Sequence, residues 1–157
     1  MKELIGDKET ISYTKCRDLN LLDTCFIVYA LEHNDLLKRL SELNNLAITS
    51  FNIEELIHIE HKLNHSTRKE LRNFLKDSNF IIVDVPVHPG NFEEEKDFVR
   101  AIDNNLLLKI PDASDAVLIA IAAKTHSTVY TKDKHHLFTT VLENFISQYD
   151  IQVLKTI

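Results

Sequence analysis

Apolar residues along this chain fall into short continuous runs that alternate with longer segments of helical spacing. The short runs predict strands at LNLLD, LAITS, FIIVDV, STVYT and IQVL. Between them, apolar residues three or four positions apart predict helices. Strands that alternate with helices are typical of an α/β fold, in which a parallel sheet is covered by helices on both faces.

The predicted helices differ in polarity along the chain. They occupy residues 25–43 with a break near Asn34, then 51–65, 66–78, 91–108, 113–125 and 136–147. The helix at 113–125 is apolar at every position from Ala116 to Ala123, which predicts a buried helix. The segment up to about Asn20 is polar and weakly patterned, so we expect an extension at residues 1–19 and a domain at 20–157.

Carboxylates stand where the predicted strands end and the next helices begin. They are Asp23, Glu54, Glu55, Asp112, Asp115 and Asp133. Functional residues of parallel sheets gather beyond the carboxyl ends of the strands, so these acids are expected in one crevice. Unit charges about 4–6 Å apart repel by roughly 3–4 kcal/mol at an effective dielectric constant of about 20. Mg²⁺ or Mn²⁺ would relieve that repulsion and equip the site for phosphodiester hydrolysis.

Each of these acids also has a structural interpretation. Asp23 can end a strand, and Glu54 or Glu55 can favour a helix N-terminus electrostatically. Asp112 follows a proline and suits an N-cap, which would put Asp115 at the third helical position. From the residues alone, the choices between Glu54 and Glu55 and between Asp112 and Asp115 stay open.

Three stretches in this order resemble a PIN domain: LLDTCFIVYAL, ITSFNIEEL and SDAVLIAIAAKTHSTVYTKDKHH. They are most similar to the single-domain ribonucleases that act as toxins in toxin–antitoxin pairs, the VapC-like proteins. The resemblance covers about residues 20–157. It implies an α/β fold built as a three-layer α/β/α sandwich, with a central parallel sheet of four to five strands, and metal-dependent cleavage of RNA.

The family pattern maps onto individual residues of this chain. Its first aspartate falls on Asp23, its glutamate before leucine on Glu55, and its aspartate at the head of the buried helix on Asp115. The T-x-D motif falls on Thr131 and Asp133. The resemblance therefore implies that the four acids are the catalytic metal ligands for Mg²⁺ or Mn²⁺.

Basic residues supply candidate contacts to RNA phosphates. Arg68, Arg72 and Lys76 recur four positions apart on one helix face, and Lys132 and Lys134 flank Asp133. A merely solvated basic face explains the same spacing. His58, His61 and His65 are expected to form a surface stripe, and no aromatic platform for stacked bases is evident in the sequence.

Composition restricts the function classes. The chain has 157 residues, 44% hydrophobic and 27% charged, which suits one globular domain. Its net charge of −6 argues against a general nucleic-acid packaging protein but not against a nuclease built from carboxylates. No apolar run approaches the roughly 18 residues of a membrane span, and a cytoplasmic protein is expected. Cys16 and Cys25 are the only cysteines and do not form a CxxC pair, which favours reduced thiols. A disulfide between them stays open.

These observations favour a metal-dependent endoribonuclease whose substrate is RNA, in the manner of the toxin of a toxin–antitoxin pair. Its partner would be a small antitoxin or a second copy of the chain. Two alternatives stay open. One is a catalytically silent PIN-like module that binds RNA or helps assembly, and the other is a DNA nuclease of a related acidic-site fold.

Overall fold

A central parallel sheet organises the molecule, whose computed structural model describes residues 2–133 and 140–157. Within those residues the strands are β1 Thr10–Ser12, β2 Asn20–Leu22, β3 Leu46–Thr49, β4 Ile81–Asp84, β5 Thr128–Tyr130 and β6 Val153–Leu154. They lie in the order β1-β4-β3-β2-β5-β6, and every pair of neighbours is parallel. The predicted parallel α/β sheet is therefore confirmed, with one more strand at its edge.

Helices connect these strands. They are α1 Thr24–Leu31, α2 Asn34–Ser41, α3 Ser50–Ile59, α4 His65–Asp77, α5 Phe92–Ile102, α6 Leu106–Lys109, α7 Ala113–Thr125 and α8 Thr140–Ile146. Side-chain caps fix several starts: Thr49 accepts from the Asn52 amide, and Asn64 accepts from the Thr67 amide. The α7 helix ends at His126, whose φ of 52° puts it in the left-handed conformation that commonly terminates helices.

Alternation along the strands creates a hydrophobic core on each face of the sheet. Leu21 and Val129 pack on the face covered by α5 and α7. Their neighbours Leu22 and Tyr130 pack on the opposite face, with residues of α1 and α4. Since successive side chains of a strand point to opposite faces, central strands with both faces buried must be apolar throughout. The three-layer α/β/α sandwich is the result.

The α7 helix is buried on every side. All of its residues from Ala116 to Ala123 are buried, between the sheet and the helices α5 and α6. Small alanine side chains let neighbouring elements approach this helix closely. Its axis is thereby fixed, and its first turn, with Asp115, is held at the edge of the sheet where the strands end.

The N-terminal segment contributes the edge strand β1. Ile11 pairs with Val83 of β4, and Lys8 Nζ donates hydrogen bonds to the carbonyls of Lys76 and Ser78, at 2.9 and 2.6 Å. Residues 10–12 thus join the same sheet as the rest of the chain. A functional boundary between residues 19 and 20 stays a prediction.

The structure also shows the state of the two cysteines and the character of the helices. Cys16 and Cys25 are both free thiols. Among the residues that the structure describes, none of the helices combines the length and apolar character needed to cross a membrane.

Leu118→Ala in α7 should lower the free energy of unfolding by about 2–5 kcal/mol, because the side chain is 3% exposed and its removal leaves a cavity. Leu108→Ala removes the same atoms from a side chain that is 77% exposed, and should change stability by no more than about 0.5 kcal/mol. Urea unfolding of both variants tests this, and equal losses would contradict the packing described for α7.

Candidate active site

One cavity of about 730 Å³ opens where the central strands end. Asp23, Glu55, Asp115 and Asp133 all line it. They come from four separate parts of the chain, namely the end of β2, the middle of α3, the first turn of α7 and the segment after β5. The four acids predicted from the sequence are therefore brought together at one place.

The strand order explains why they meet. β2 and β5 are neighbours, with Leu22 opposite Tyr130, and the Asp23 amide donates to the Tyr130 carbonyl at 2.9 Å. The chain runs from β2 toward β3 and β4 on one side of this pair, whereas β6 lies on the other. Such a topological switch point opens a crevice beyond the strand ends, where ligands of α/β proteins bind.

Asp23 is held by neutral donors. Its Oδ2 accepts a hydrogen bond from Thr131 Oγ1 at 2.6 Å and from Cys25 Sγ at 2.8 Å. Burial raises the pKa of Asp23, and the negative charge of Asp133 raises it further, whereas these two hydrogen bonds lower it. Thr131 also accepts from the Asp133 amide at 3.0 Å, so one hydroxyl links both acids.

Glu55 has a similar environment in the same cavity. Its Oε2 accepts from Thr24 Oγ1 at 2.6 Å and from Asn52 Nδ2 at 3.0 Å. Asn52 is itself fixed by Thr49, whose hydroxyl donates to Asn52 Oδ1 at 2.6 Å. Burial raises the pKa of Glu55, and the charge of Asp23 contributes to the same effect. Repulsion between acids from different elements is thus part of the site.

Cys25 acts as a hydrogen-bond donor within this group. Burial, followed by the charge of Asp23, raises the pKa of Cys25 to about 12. The side chain therefore stays a thiol at neutral pH and keeps donating to Asp23. Its sulfur also accepts from the Lys132 amide at 3.2 Å, which ties α1 to the segment after β5.

The structure separates the two pairs of neighbouring acids that the sequence left open. Glu54 contacts His88 instead of the cavity, with Oε1 2.8 Å from Nδ1. Asp112 caps α7, because its Oδ1 accepts from the amides of Ser114 and Asp115. Glu55 and Asp115 are the members of each pair that line the cavity.

Glu95 is a buried acid that the sequence analysis missed. It is 0% exposed, and its Oε1 accepts from the Gly90 amide while Oε2 accepts from Ser114 Oγ, both at 2.8 Å. These bonds join the loop before α5 to the first turn of α7, next to Asp115. The charge of Glu95 also contributes to the raised pKa of Glu55. The sequence did carry a signal of its burial: Glu95 shares one helix face with the apolar residues Phe98, Val99 and Ile102.

The basic face of α4 is largely engaged within the protein. Arg68 donates to the carbonyls of Glu60, His61 and Leu63, and so closes the end of the preceding helical segment. Arg72 Nε lies 2.8 Å from Glu60 Oε1. Both arginines line a separate cavity of about 600 Å³, and Lys76 is exposed. A role for these three residues in binding phosphate stays a prediction.

Lys132 and Lys134 flank Asp133 in the sequence. Lys132 lines the cavity, and its Nζ lies 4.2 Å from the centroid of the Tyr29 ring. Lys134 lies outside the described residues. His58 is exposed and lines the same cavity, whereas His61 and His65 line the neighbouring cavity on α4.

The carboxylates that line the cavity supply oxygen atoms, the ligand type that hard divalent cations prefer. Within the described residues, neither Asp23 nor Glu55 forms an ion pair with lysine or arginine, so their charges are hydrogen-bonded but not neutralised. In the same part of the chain, no three histidine, cysteine, aspartate or glutamate side chains stand close enough to hold a metal ion as they are. Mg²⁺ needs only one or two carboxylates, since it retains several water molecules.

Asp23→Asn should change how stability depends on pH in metal-free buffer. Because the folded pKa of Asp23 lies above its ordinary value of 3.8, the native state of the wild type binds more protons than the unfolded state. Its stability therefore falls as pH rises between those two values. The variant lacks this loss, so its melting temperature should gain on the wild type as pH rises from about 4 toward the raised pKa of Asp23. A constant difference across that range would contradict the raised pKa.

Glu95→Ala should lower the free energy of unfolding by about 1–3 kcal/mol, because the Gly90 amide loses its acceptor inside the protein. Glu95→Gln keeps an acceptor and should cost less. Glu94→Ala, at an exposed position of the same helix, should change stability by about 0.5 kcal/mol or less. Urea unfolding measures all three, and a neutral Glu95→Ala variant would contradict the linking role of this residue.

Comparison with known proteins identifies the fold. No protein-family model and no curated protein matches the sequence. The crystal structure of VapBC2 from Rickettsia felis, bound to a DNA fragment from their promoter, contains a chain that superposes with a TM-score of 0.56 and 21% sequence identity. The match covers 87% of this chain and 97% of that chain. This chain therefore has a PIN-like fold of the VapC type, as its motifs implied.

Proposed function

We propose that this protein is a metal-dependent endoribonuclease that hydrolyses phosphodiester bonds of RNA. The observation that carries the proposal is the convergence of Asp23, Glu55, Asp115 and Asp133 in one cavity at the switch point of the sheet. The resemblance of these motifs to PIN-domain ribonucleases supplies the reaction type. Asp23, Glu55, Asp115 and Asp133 would hold Mg²⁺ or Mn²⁺.

A bound divalent cation would supply an activated water and stabilise the charge that develops on the scissile phosphate. The chain contributes the position of each acid. Thr131 and Cys25 orient Asp23, and Thr24 and Asn52 orient Glu55, through donors that add no positive charge. Only the ionised form of an acid is a good ligand, so a bound cation would oppose the effect of burial on the pKa of Asp23 and Glu55.

Substrate contacts are proposed for the cations around the cavity. Lys132 lines the cavity and would contact a phosphate next to the one that is cleaved. Arg68, Arg72, Lys76 and Lys134 would extend this contact along the RNA, and Arg68 also donates to the carbonyls of Glu60, His61 and Leu63. The hydroxyl of Thr131 is a further proposed substrate contact, and it also donates to Asp23 and accepts from the Asp133 amide.

A toxin–antitoxin role is the cellular function that we propose. The structural neighbour from Rickettsia felis was solved as VapBC2 on promoter DNA. By analogy, a small antitoxin protein would bind this chain and restrain its activity, and a second copy of the chain would complete the assembly. A cytoplasmic location fits such a role.

Asp115→Asn should reduce Mg²⁺- or Mn²⁺-dependent cleavage of RNA at least about 100-fold, since even outer partners of metal ligands cost about 10–100-fold. Asp112→Asn makes the same change three residues earlier, at an N-cap where asparagine serves as well as aspartate. It should keep its activity. Initial rates on a labelled single-stranded RNA, with and without a chelator, measure the difference.

A second matched pair lies on α3. Glu55→Gln should lose cleavage to a similar degree, whereas Glu54→Gln should not, because Glu54 contacts His88.

If Asp115→Asn cleaved RNA as fast as the wild type, the assignment would be rejected. If the wild type bound RNA but cleaved none, the catalytically silent module would be favoured. Cleavage of flap DNA in preference to RNA would favour the DNA nuclease.

A further inference from the structure

The carboxylate cavity continues into a second cavity beside it. This flanking cavity has a volume of about 520 Å³ and is lined by residues that include Tyr29, His33, Arg39 and Lys132. Tyr29 and Lys132 line both cavities, and so form the passage between them. A ligand whose reacting group lies at the acids can therefore extend across these two side chains.

Tyr29 and His33 form a flat aromatic pair at this passage. Their ring centroids are 4.0 Å apart and the rings are inclined by only 20°. The residues are four positions apart across the end of α1, and His33 Nδ1 lies 2.7 Å from the Tyr29 carbonyl, which fixes the histidine ring. The pair is thus arranged before any ligand binds, so little conformational freedom remains to be lost.

Exposure and charge distinguish this pair from an ordinary core contact. Tyr29 is 39% exposed, which is unusual in this protein, where large aromatic side chains are mostly buried. Lys132 Nζ lies 4.2 Å from the Tyr29 ring centroid, within reach of a cation–π interaction. Arg39 adds a second positive charge, held by a hydrogen bond to the Ile157 carbonyl. Rings beside cations are what a nucleotide requires, for its base and for its phosphate.

We propose that the flanking cavity binds the nucleoside adjacent to the scissile phosphate of single-stranded RNA. Its base stacks on the Tyr29–His33 pair, and Lys132 contacts the phosphate between the two cavities. This inference rests on the proposed ribonuclease function and adds a substrate subsite to it. It also requires an unpaired substrate, because a base stacked in a duplex offers no free face to the protein.

Removing the base from the substrate and the ring from the protein tests the subsite. A labelled single-stranded RNA that the wild type cleaves is remade with one abasic nucleotide at each position around the cleaved bond. At one flanking position, loss of the base should lower kcat/KM of the wild type by about 5- to 150-fold, the range expected for one base–aromatic stack. Tyr29→Ala should lower kcat/KM on intact RNA similarly and show no further loss at that position.

Two variants serve as controls for this cycle. Tyr29→Phe retains the ring and should behave as the wild type, including its dependence on the flanking base. Phe92→Ala removes an aromatic side chain that is 59% exposed at the start of α5, and should leave both rates unchanged. If Tyr29→Ala does not fold by circular dichroism, His33→Ala removes the other ring of the pair and is expected to reduce the base dependence.

The outcomes separate this subsite from the proposed function. If loss of the flanking base lowered kcat/KM equally in the wild type, Tyr29→Ala and His33→Ala, the subsite would be overturned. Normal cleavage of intact RNA would leave the proposed ribonuclease function standing. Absence of cleavage by the wild type would overturn the ribonuclease. In that case fluorescence anisotropy measures equilibrium binding of the same RNAs, and binding that loses its base dependence in the ring variants supports the subsite. Binding that is indifferent to both rings rejects it.

Discussion

Electrostatic repulsion among carboxylates in a half-buried cavity is the constraint on which the site depends. Asp23 and Glu55 accept hydrogen bonds from thiol, hydroxyl and amide donors, and none of these described donors carries a positive charge. Such donors offset the loss of solvation without cancelling the charge. Lysine or arginine side chains paired with Asp23 and Glu55 would instead occupy the oxygens that a divalent cation needs.

Rigid elements around the cavity hold these acids in position. The apolar α7 helix cannot shift without opening the core, so its first turn holds Asp115 in place. Glu95 strengthens the same point from α5 through Ser114. On the other side of β2, the hydrogen bonds among Thr49, Asn52 and Glu55 fix the start of α3. Acids from distant parts of the sequence can stay close together because each sits on an element with little freedom to move apart.

Much of the architecture was predictable, because central strands and the buried helix have unambiguous hydrophobic patterns. The edge strand β1 was not, since a three-residue strand at the edge needs few apolar residues. The choice between Glu54 and Glu55 depended on which side of α3 faces the cavity, which spacing alone did not decide. The contacts of Arg68 with backbone carbonyls of another segment could not be predicted, because helical spacing carries no information about them. The Tyr29–His33 pair was missed because it spans a helix end.

The α1 helix connects most of these features. In its first turn, Thr24 donates to Glu55 and Cys25 donates to Asp23, so adjacent residues orient two acids from different elements. Tyr29 lies one turn after Cys25 on the same face and reaches the flanking cavity. Any tilt of α1 would therefore disturb the acids and the aromatic pair together. A single short helix thus couples the geometry of the reacting centre to the place where the rest of the substrate would lie.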